Sequence, residues 1–220
     1  MKIALSPINL HDPIQFSELQ SQRLQCGWDN SPAHLLKWRE MADHGRKSFF
    51  WITSTLSHDH DHNHNPDQKH EHKDQTERQT LIGHISLDSY SDLDDLSLAS
   101  PDRSALTVQT FFIKHEYQRL GIGSQAMDLV EEMAREEPYG SPHCQYVTLS
   151  TLNRRHCYET GPVWDAAREI LPPGYLDFCL ADWYEKRGYV CWKSVWRDHE
   201  PDFQGRVLRV LVDFMRKGCL

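Results

Sequence analysis

Between residues 118 and 124 the chain reads Gln118-Arg119-Leu120-Gly121-Ile122-Gly123-Ser124. Its chemistry lies in the backbone. The stretch follows an apolar, β-branched run, Leu106 to Ile113, and leads directly into a segment carrying Ile122, Ala126, Leu129, Val130, Met133 and Ala134 at spacings of three and four. That pattern is strand, turn, amphipathic helix. The first N–H groups of such a helix have no intrahelical acceptor. Glycines at 121 and 123 carry no Cβ to hold a ligand off them, and the positive end of the helix dipole points the same way. The result is a cradle for a diphosphate that needs no lysine. Neither G-x-G-x-x-G nor G-x-x-x-x-G-K-[ST] occurs, which sets aside a dinucleotide fold and a P-loop. A tight strand-to-helix turn with no ligand is the competing reading.

Two other groups of residues invite chemistry and receive none. His58, His60, His62, His64, His70 and His72 alternate with Asp and Asn in a polar stretch from about 56 to 80. Neutral imidazoles bind divalent metals, but this spacing fixes no geometry and nothing nearby supplies a supporting shell, so a solvated, mobile loop is expected and no metal site is assigned. Six cysteines (Cys26, Cys144, Cys157, Cys179, Cys191, Cys219) are scattered without a C-x-x-C pair. They read as buried or incidental thiols, with no zinc knuckle or disulfide framework.

The elements that position the cradle follow from periodicity. Lys2 to Ile8 is an opening strand. A helix follows over Pro13 to Trp28 behind an Asp12 cap, and another from Ser31-Pro32 to about Ala42. Strands are expected at Ser48–Thr55, Leu81–Tyr90, Leu106–Ile113, Gln145–Thr151, Tyr189–Trp196 and Arg206–Phe214, with a polar linker over Ser91 to Arg103 and a short helix at Asp182–Arg187. The expectation is one α/β (α+β) domain over 1–220, with about seven strands in a mixed, mostly antiparallel sheet and about four flanking helices.

A length of 220 residues with 39% hydrophobic and 25% charged residues suits one soluble, well-cored domain. The net charge of -8 argues against nucleic acid or an anionic membrane as the main partner. No apolar run is long enough to span a bilayer and the N-terminus has no signal-peptide core, so the expected address is cytoplasmic or nuclear.

Ile113-x-x-x-x-Gln118-x-x-Gly121-x-Gly123 resembles the coenzyme A motif of the GNAT superfamily of N-acetyltransferases, V-x-P-x-x-[QR]-x-x-G-x-[GA], with His115 where the proline usually stands. Downstream, Trp183-Tyr184-Glu185-Lys186-Arg187-Gly188-Tyr189 is similar to that family's [FL]-Y-[ER]-K-x-G-[FY] segment. The two motifs stand in the family's order, and the N-terminal strand-helix-helix-strand order agrees.

The resemblance implies a GNAT-like fold and acetyl transfer from acetyl-CoA to an amine. It assigns the amides of Gln118, Arg119, Leu120, Gly121, Ile122, Gly123 and Ser124 to the diphosphate, and main-chain groups of Phe111, Phe112 and Ile113 to the pantetheine arm. The splay of that strand from Gln145–Thr151 would be the thioester slot. Asn153 falls where the family often has an asparagine, and Tyr184 matches the tyrosine near the coenzyme sulfur. Direct attack in a ternary complex needs a neutral amine, a polarised carbonyl and a proton for the leaving thiolate. Tyr184 is the candidate acid; the candidate bases are His84, Glu116 or a water chain. Arg154 to Ala181 is longer than the family usually has at this place and reads as an insertion, with a helix from about Pro162 to Ile170; it either walls the acceptor pocket or packs outside it. The expected partner is an amine acceptor (small molecule, amino acid, or peptide or protein amine) and the expected state a monomer or homodimer. The alternative is a non-catalytic acyl-CoA-binding or metal-binding module of the same fold.

Overall fold

The computed structural model describes residues 2–55, 79–93, 95–171, 175–198 and 208–219. Strand β1 (Ile3–Pro7) leads to helices α1 (Pro13–Cys26) and α2 (Pro32–Asp43), then to strands β2 (Lys47–Thr55) and β3 (Gln79–Asp88). Both helices start where side-chain chemistry dictates. The Asp12 carboxylate accepts from the amides of Ile14 at 2.8 Å and Gln15 at 3.3 Å, and Ser31 Oγ accepts from His34 at 3.3 Å, each just before a first-turn proline. Helix α1 stops at Gly27, whose φ of 83° is left-handed.

Strands β4 (Ala105–Val108) and β5 (Phe111–Ile113) precede helix α3 (Ile122–Met133) and strand β6 (Tyr146–Leu152). Helices α4 (Arg155–Tyr158), α5 (Pro162–Ile170) and α6 (Leu180–Lys186) lead to strands β7 (Val190–Asp198) and β8 (Arg209–Gly218). One sheet runs β1-β2-β3-β4-β6-β8-β7, with β5 paired to β3 off this path. Among the described residues only β4 and β6 run parallel; every other pairing is antiparallel.

Alternation along β2 separates two cores. Phe50 and Ile52 join Ile85, Leu106, Val147 and the α3 residues Ile122, Ala126, Met127 and Val130 on one face. Phe49 and Trp51 face the other way and meet Leu19 of α1 and Leu35 and Trp38 of α2. Each large side chain so buried is worth about 1.5–3 kcal/mol of transfer free energy, so the two layers hold the sheet between them. A third cluster of Ala167, Leu171, Leu208 and Val210 seats α5 on β8.

The mixed, mostly antiparallel architecture is as expected, with differences that have local causes. Among the described residues eight strands replace about seven, because the single strand expected over Leu106–Ile113 breaks at Gln109-Thr110. Six α-helices among the described residues replace about four: α4 is a single turn with no apolar period to betray it, and the helix expected within 154–181 is α5. The last strand, Arg209–Gly218, runs further than the expected end at Phe214, and residues 206 and 207 lie outside the described residues. The supposed linker at 91–103 is packed, with Leu98 and Ala99 each 2% exposed and the Leu98 carbonyl accepting from Thr148 Oγ1. The histidines at 58–72 lie outside the described residues, and β3 already takes in Gln79 and Thr80.

Strand β5 approaches β3 so closely that a Cβ on Gly83 would stand 2.0 Å from the Phe112 carbonyl oxygen. Backbone cannot yield as a flexible side chain does. Gly83→Ala is expected to destabilise the fold by about 1–3 kcal/mol in urea titration. An unchanged midpoint would contradict the close approach.

Candidate active site

The site begins where strand pairing fails. Strand β4 pairs with β6 from Ala105↔Tyr146 to Val108↔Leu149. Past those residues β5 stays on β3 while β6 stays on β8 as far as Leu152↔Val212, so a gap opens between β5 and β6. In an antiparallel ladder alternate residues bond to the neighbour. Ser86 N–H donates to the Thr110 carbonyl and Lys114 N–H to the Ile82 carbonyl, each at 2.9 Å, with His84 opposite Phe112 between them. The main-chain groups of Phe111 and Ile113 therefore turn away from β3, into the gap, whereas those of Phe112 are directed at the ladder.

The break itself is held by a buried polar network. Asp88, with no exposed side-chain surface, accepts from Lys47 Nζ at 2.7 Å, Gln109 Nε2 at 2.8 Å and Ser86 Oγ at 2.9 Å. Gln109 Nε2 also donates to the Tyr90 carbonyl at 2.9 Å, and its Oε1 accepts from Asp92 N–H at 2.6 Å. Thr110 N–H donates to Ser86 Oγ at 3.3 Å. Groups that leave the ladder thus find partners, as buried amides must. Burial lifts the Asp88 carboxyl above its ordinary value, opposed by the Lys47 charge and the hydrogen bonds.

A cavity of about 540 Å³ fills the gap. It is lined by residues 107–111 and 150–152 together with Arg23, Trp28, Asp29, Trp38, Tyr175, Leu180 and Tyr184. Thr110 and Thr151, 1% and 7% exposed, place buried hydroxyl oxygens there that find no hydrogen-bond partner among the described residues. Asp92 opens on the same cavity; burial works against its ionisation, but hydrogen bonds from Lys37 and Trp38 and the Lys47 charge hold its carboxyl below the ordinary value.

Beside the mouth, the turn before α3 presents its amides. Arg119 (φ 63°) and Gly121 (φ 76°) are both left-handed, and the amides of residues 119–124 find no backbone acceptor among the described residues. Two left-handed residues around Leu120 curve these N–H groups toward one concavity, the cradle expected for a diphosphate. The Gln118 side chain donates to the Ile113 carbonyl at 2.9 Å, bracing the turn against β5.

Tyr184 is fixed from behind. Arg187, one turn further along α6's end, donates to the Ser124 carbonyl at 3.2 Å and pairs with Asp128 at 2.7 Å and Glu131 at 3.1 Å, tying α6 to α3. Trp183 lies 6.4 Å from the Phe111 ring. Tyr184 is 6% exposed, and burial pushes its phenol well above the ordinary value of 10, so it is protonated throughout the physiological range.

The other expected site residues divide. Phe111 lines the cavity, whereas the Phe112 ring sits 5.8 Å from the His84 ring on the α1 side. His84 is fully buried beneath the wall: its Nδ1 meets Gln22 Oε1 at 2.8 Å and its Nε2 faces Arg23 at 3.4 Å. Burial and the charges of Arg23 and Lys47 press its pKa well below 6.5, so the imidazole is neutral. Glu116 lies exposed in the 3-10 turn His115–Tyr117, away from the cavity lining. Asn153 spends both ends of its amide on protein, donating to Asp213 at 2.6 Å and accepting from Arg155 N–H at 2.9 Å. Sequence reasoning missed Trp28, Asp29, Trp38 and Asp92, which sit in helices or loops with no motif around them. Of the stretch 154–181, Tyr175 reaches the cavity and meets Trp28 with ring centres 5.8 Å apart, while Trp164 stacks on Trp196 outside it.

The sequence model of the acetyltransferase (GNAT) family matches residues 34–161. The chain belongs to that family. Solved structures of the same fold include Ard1 from Thermoplasma volcanium (TM-score 0.54, 13% identity, 100% of this chain and 99% of that one). An aminoglycoside 6'-N-acetyltransferase complexed with coenzyme A (TM-score 0.52, 14% identity, 100% and 98%) and Arabidopsis thaliana NAA60 in complex with a bisubstrate analogue (TM-score 0.52, 14% identity, 99% and 98%) are similar to the same degree. No curated protein matches the chain. The GNAT family match contains the break, the cradle and β6, and stops short of Tyr184.

A Cβ on Gly123 would meet the Trp183 and Phe111 rings at 3.6–3.7 Å, ordinary contact, so the protein itself does not forbid a side chain there. Gly123→Val is expected to raise the dissociation constant of coenzyme A about tenfold or more by calorimetry, while moving the melting temperature little. Unchanged affinity would remove the cradle from coenzyme binding.

Proposed function

We propose that this chain moves an acetyl group from acetyl-CoA to a primary amine by direct attack in a ternary complex. As a GNAT acetyltransferase it is an acyltransferase with acetyl-CoA as co-substrate. The observation that carries the rest is the cavity at the break between β5 and β6, with Tyr184 in its wall and the open amides of residues 119–124 beside its mouth.

In this reading the amides of the turn hold the diphosphate, with the helix dipole behind them. The main-chain groups of Phe111 and Ile113 that face the gap bond the pantetheine arm, and an N–H there polarises the thioester carbonyl. Tyr184 donates its proton to the departing thiolate; a phenol kept protonated by burial suits that task. The amine enters between Trp28, Trp38 and Tyr175. Water in the cavity takes the amine's proton. His84 serves by holding Arg23 in the wall, and Glu116 takes no part in this account.

The solved relatives of this fold include enzymes named for aminoglycoside and spermidine acetylation. Their names support an amine acceptor and do not choose among amines.

Thiol release from acetyl-CoA, screened over polyamines, aminoglycosides, amino acids and peptides, tests the reading. With the best acceptor, Tyr184→Phe is expected to lower kcat about a hundredfold while KM for acetyl-CoA stays within about threefold. An unchanged kcat would take Tyr184 out of the chemistry, and no amine-dependent release over the panel would overturn the acceptor class.

A further inference from the structure

At the end of β6 remote from the slot, two thiols that sequence keeps far apart come together. Cys144 Sγ lies 3.3 Å from Cys219 Sγ across a separation of 75 residues. The pairing of β6 with β8 causes this: Tyr146 is opposite Gly218, and the next amide, Cys219 N–H, donates to the Gln145 carbonyl at 2.9 Å. A depression of about 600 Å³, lined by His143, Cys144, Tyr146, Gly218 and Cys219 among others, gives small molecules access to the pair.

We propose that Cys144 and Cys219 form a dithiol site which a low-molecular-weight disulfide, such as oxidised glutathione, converts to an intramolecular disulfide. The two sulfurs need to close by about 1.3 Å to reach the 2.03–2.05 Å of a disulfide. Their inequality assigns the order of events. Cys144 is 6% exposed, while Cys219 is only partly buried and opens on the depression. The Cys144 S–H hydrogen bond and the Arg135 charge hold the Cys219 thiol below its ordinary range, whereas Cys144 is pushed above it by that same contact and by burial.

Cys219 thiolate attacks one sulfur of oxidised glutathione, forming a mixed disulfide and releasing one glutathione thiolate. Cys144 then gives up its proton to solvent and attacks Sγ of Cys219, releasing the second glutathione. The protein loses two hydrogens and the oxidant is reduced to two thiols, so electrons balance. The link staples β6 to β8 at their paired end and leaves the mouth of the slot untouched.

The full chain, reduced and then incubated with oxidised glutathione, would be read by intact mass and peptide mapping after alkylation of remaining thiols. The expected result is a loss of two hydrogens and a Cys144–Cys219 linked peptide. In Cys144→Ser the mixed disulfide at Cys219 should accumulate instead, and in Cys219→Ser both products should be lost. Free alkylated thiols at both positions, a linkage confined to Cys157 and Cys179, or a mixed disulfide that persists in the unmodified chain would each overturn the proposal.

Discussion

Asp88 has no exposed side-chain surface and sits against Lys47, Ser86 and Gln109, at the place where the sheet stops pairing continuously. An isolated carboxylate there would cost several kcal/mol, and breaking such a buried pair by removing one partner typically costs about 3–5 kcal/mol. The partners are therefore obligatory, and two of them act on the break. Gln109 turns its amide inward to Asp88 and the Tyr90 carbonyl, and Ser86 takes the Thr110 N–H. With those bonds made, β5 leaves the line of β4 and stays on β3, and the gap toward β6 follows from that geometry.

Everything at the site is referred to this gap. Phe111 and Ile113 face it because of ladder alternation, Gln118 braces the Ile113 carbonyl, and the left-handed Arg119 and Gly121 then set the amides of the turn beside its mouth. From the other face, Arg187 anchors α6 on α3 and so fixes Tyr184 in the wall. The Lys47 ammonium, 4.8 Å from the Trp38 ring and 4.5 Å from that of Phe49, links the network to the aromatic layer under α2. The gap, the turn before α3 and the aromatic wall thus share one buried support.

Much of this was legible before any coordinates. The caps at Asp12 and Ser31, the α3 stripe and the glycine turn are local signals that act over a few residues, and each fell in place. The break at Gln109-Thr110 was not legible, because Leu106 to Ile113 is a good strand by composition and only partners on β2, β3 and the 91–92 segment interrupt it. His84 looked like a usable base for the same reason: a sequence does not disclose that Gln22 and Arg23 enclose it. The cavity wall from Trp28, Asp29, Trp38 and Asp92, and the pairing of Cys144 with Cys219, are likewise products of tertiary contact. Composition also misled at 91–103, where Leu98 and Ala99 pack inward from a polar setting.

The central claim is that the gap between β5 and β6, together with the turn before α3, is where acetyl-CoA lies. Amide hydrogen exchange of the intact chain, with and without saturating coenzyme A, addresses it most directly. The account predicts slowed exchange confined to residues 111–113, 119–124 and 150–152, with the layer of α1 and α2 little changed. Protection absent from those segments, or centred on another part of the sheet, would contradict it.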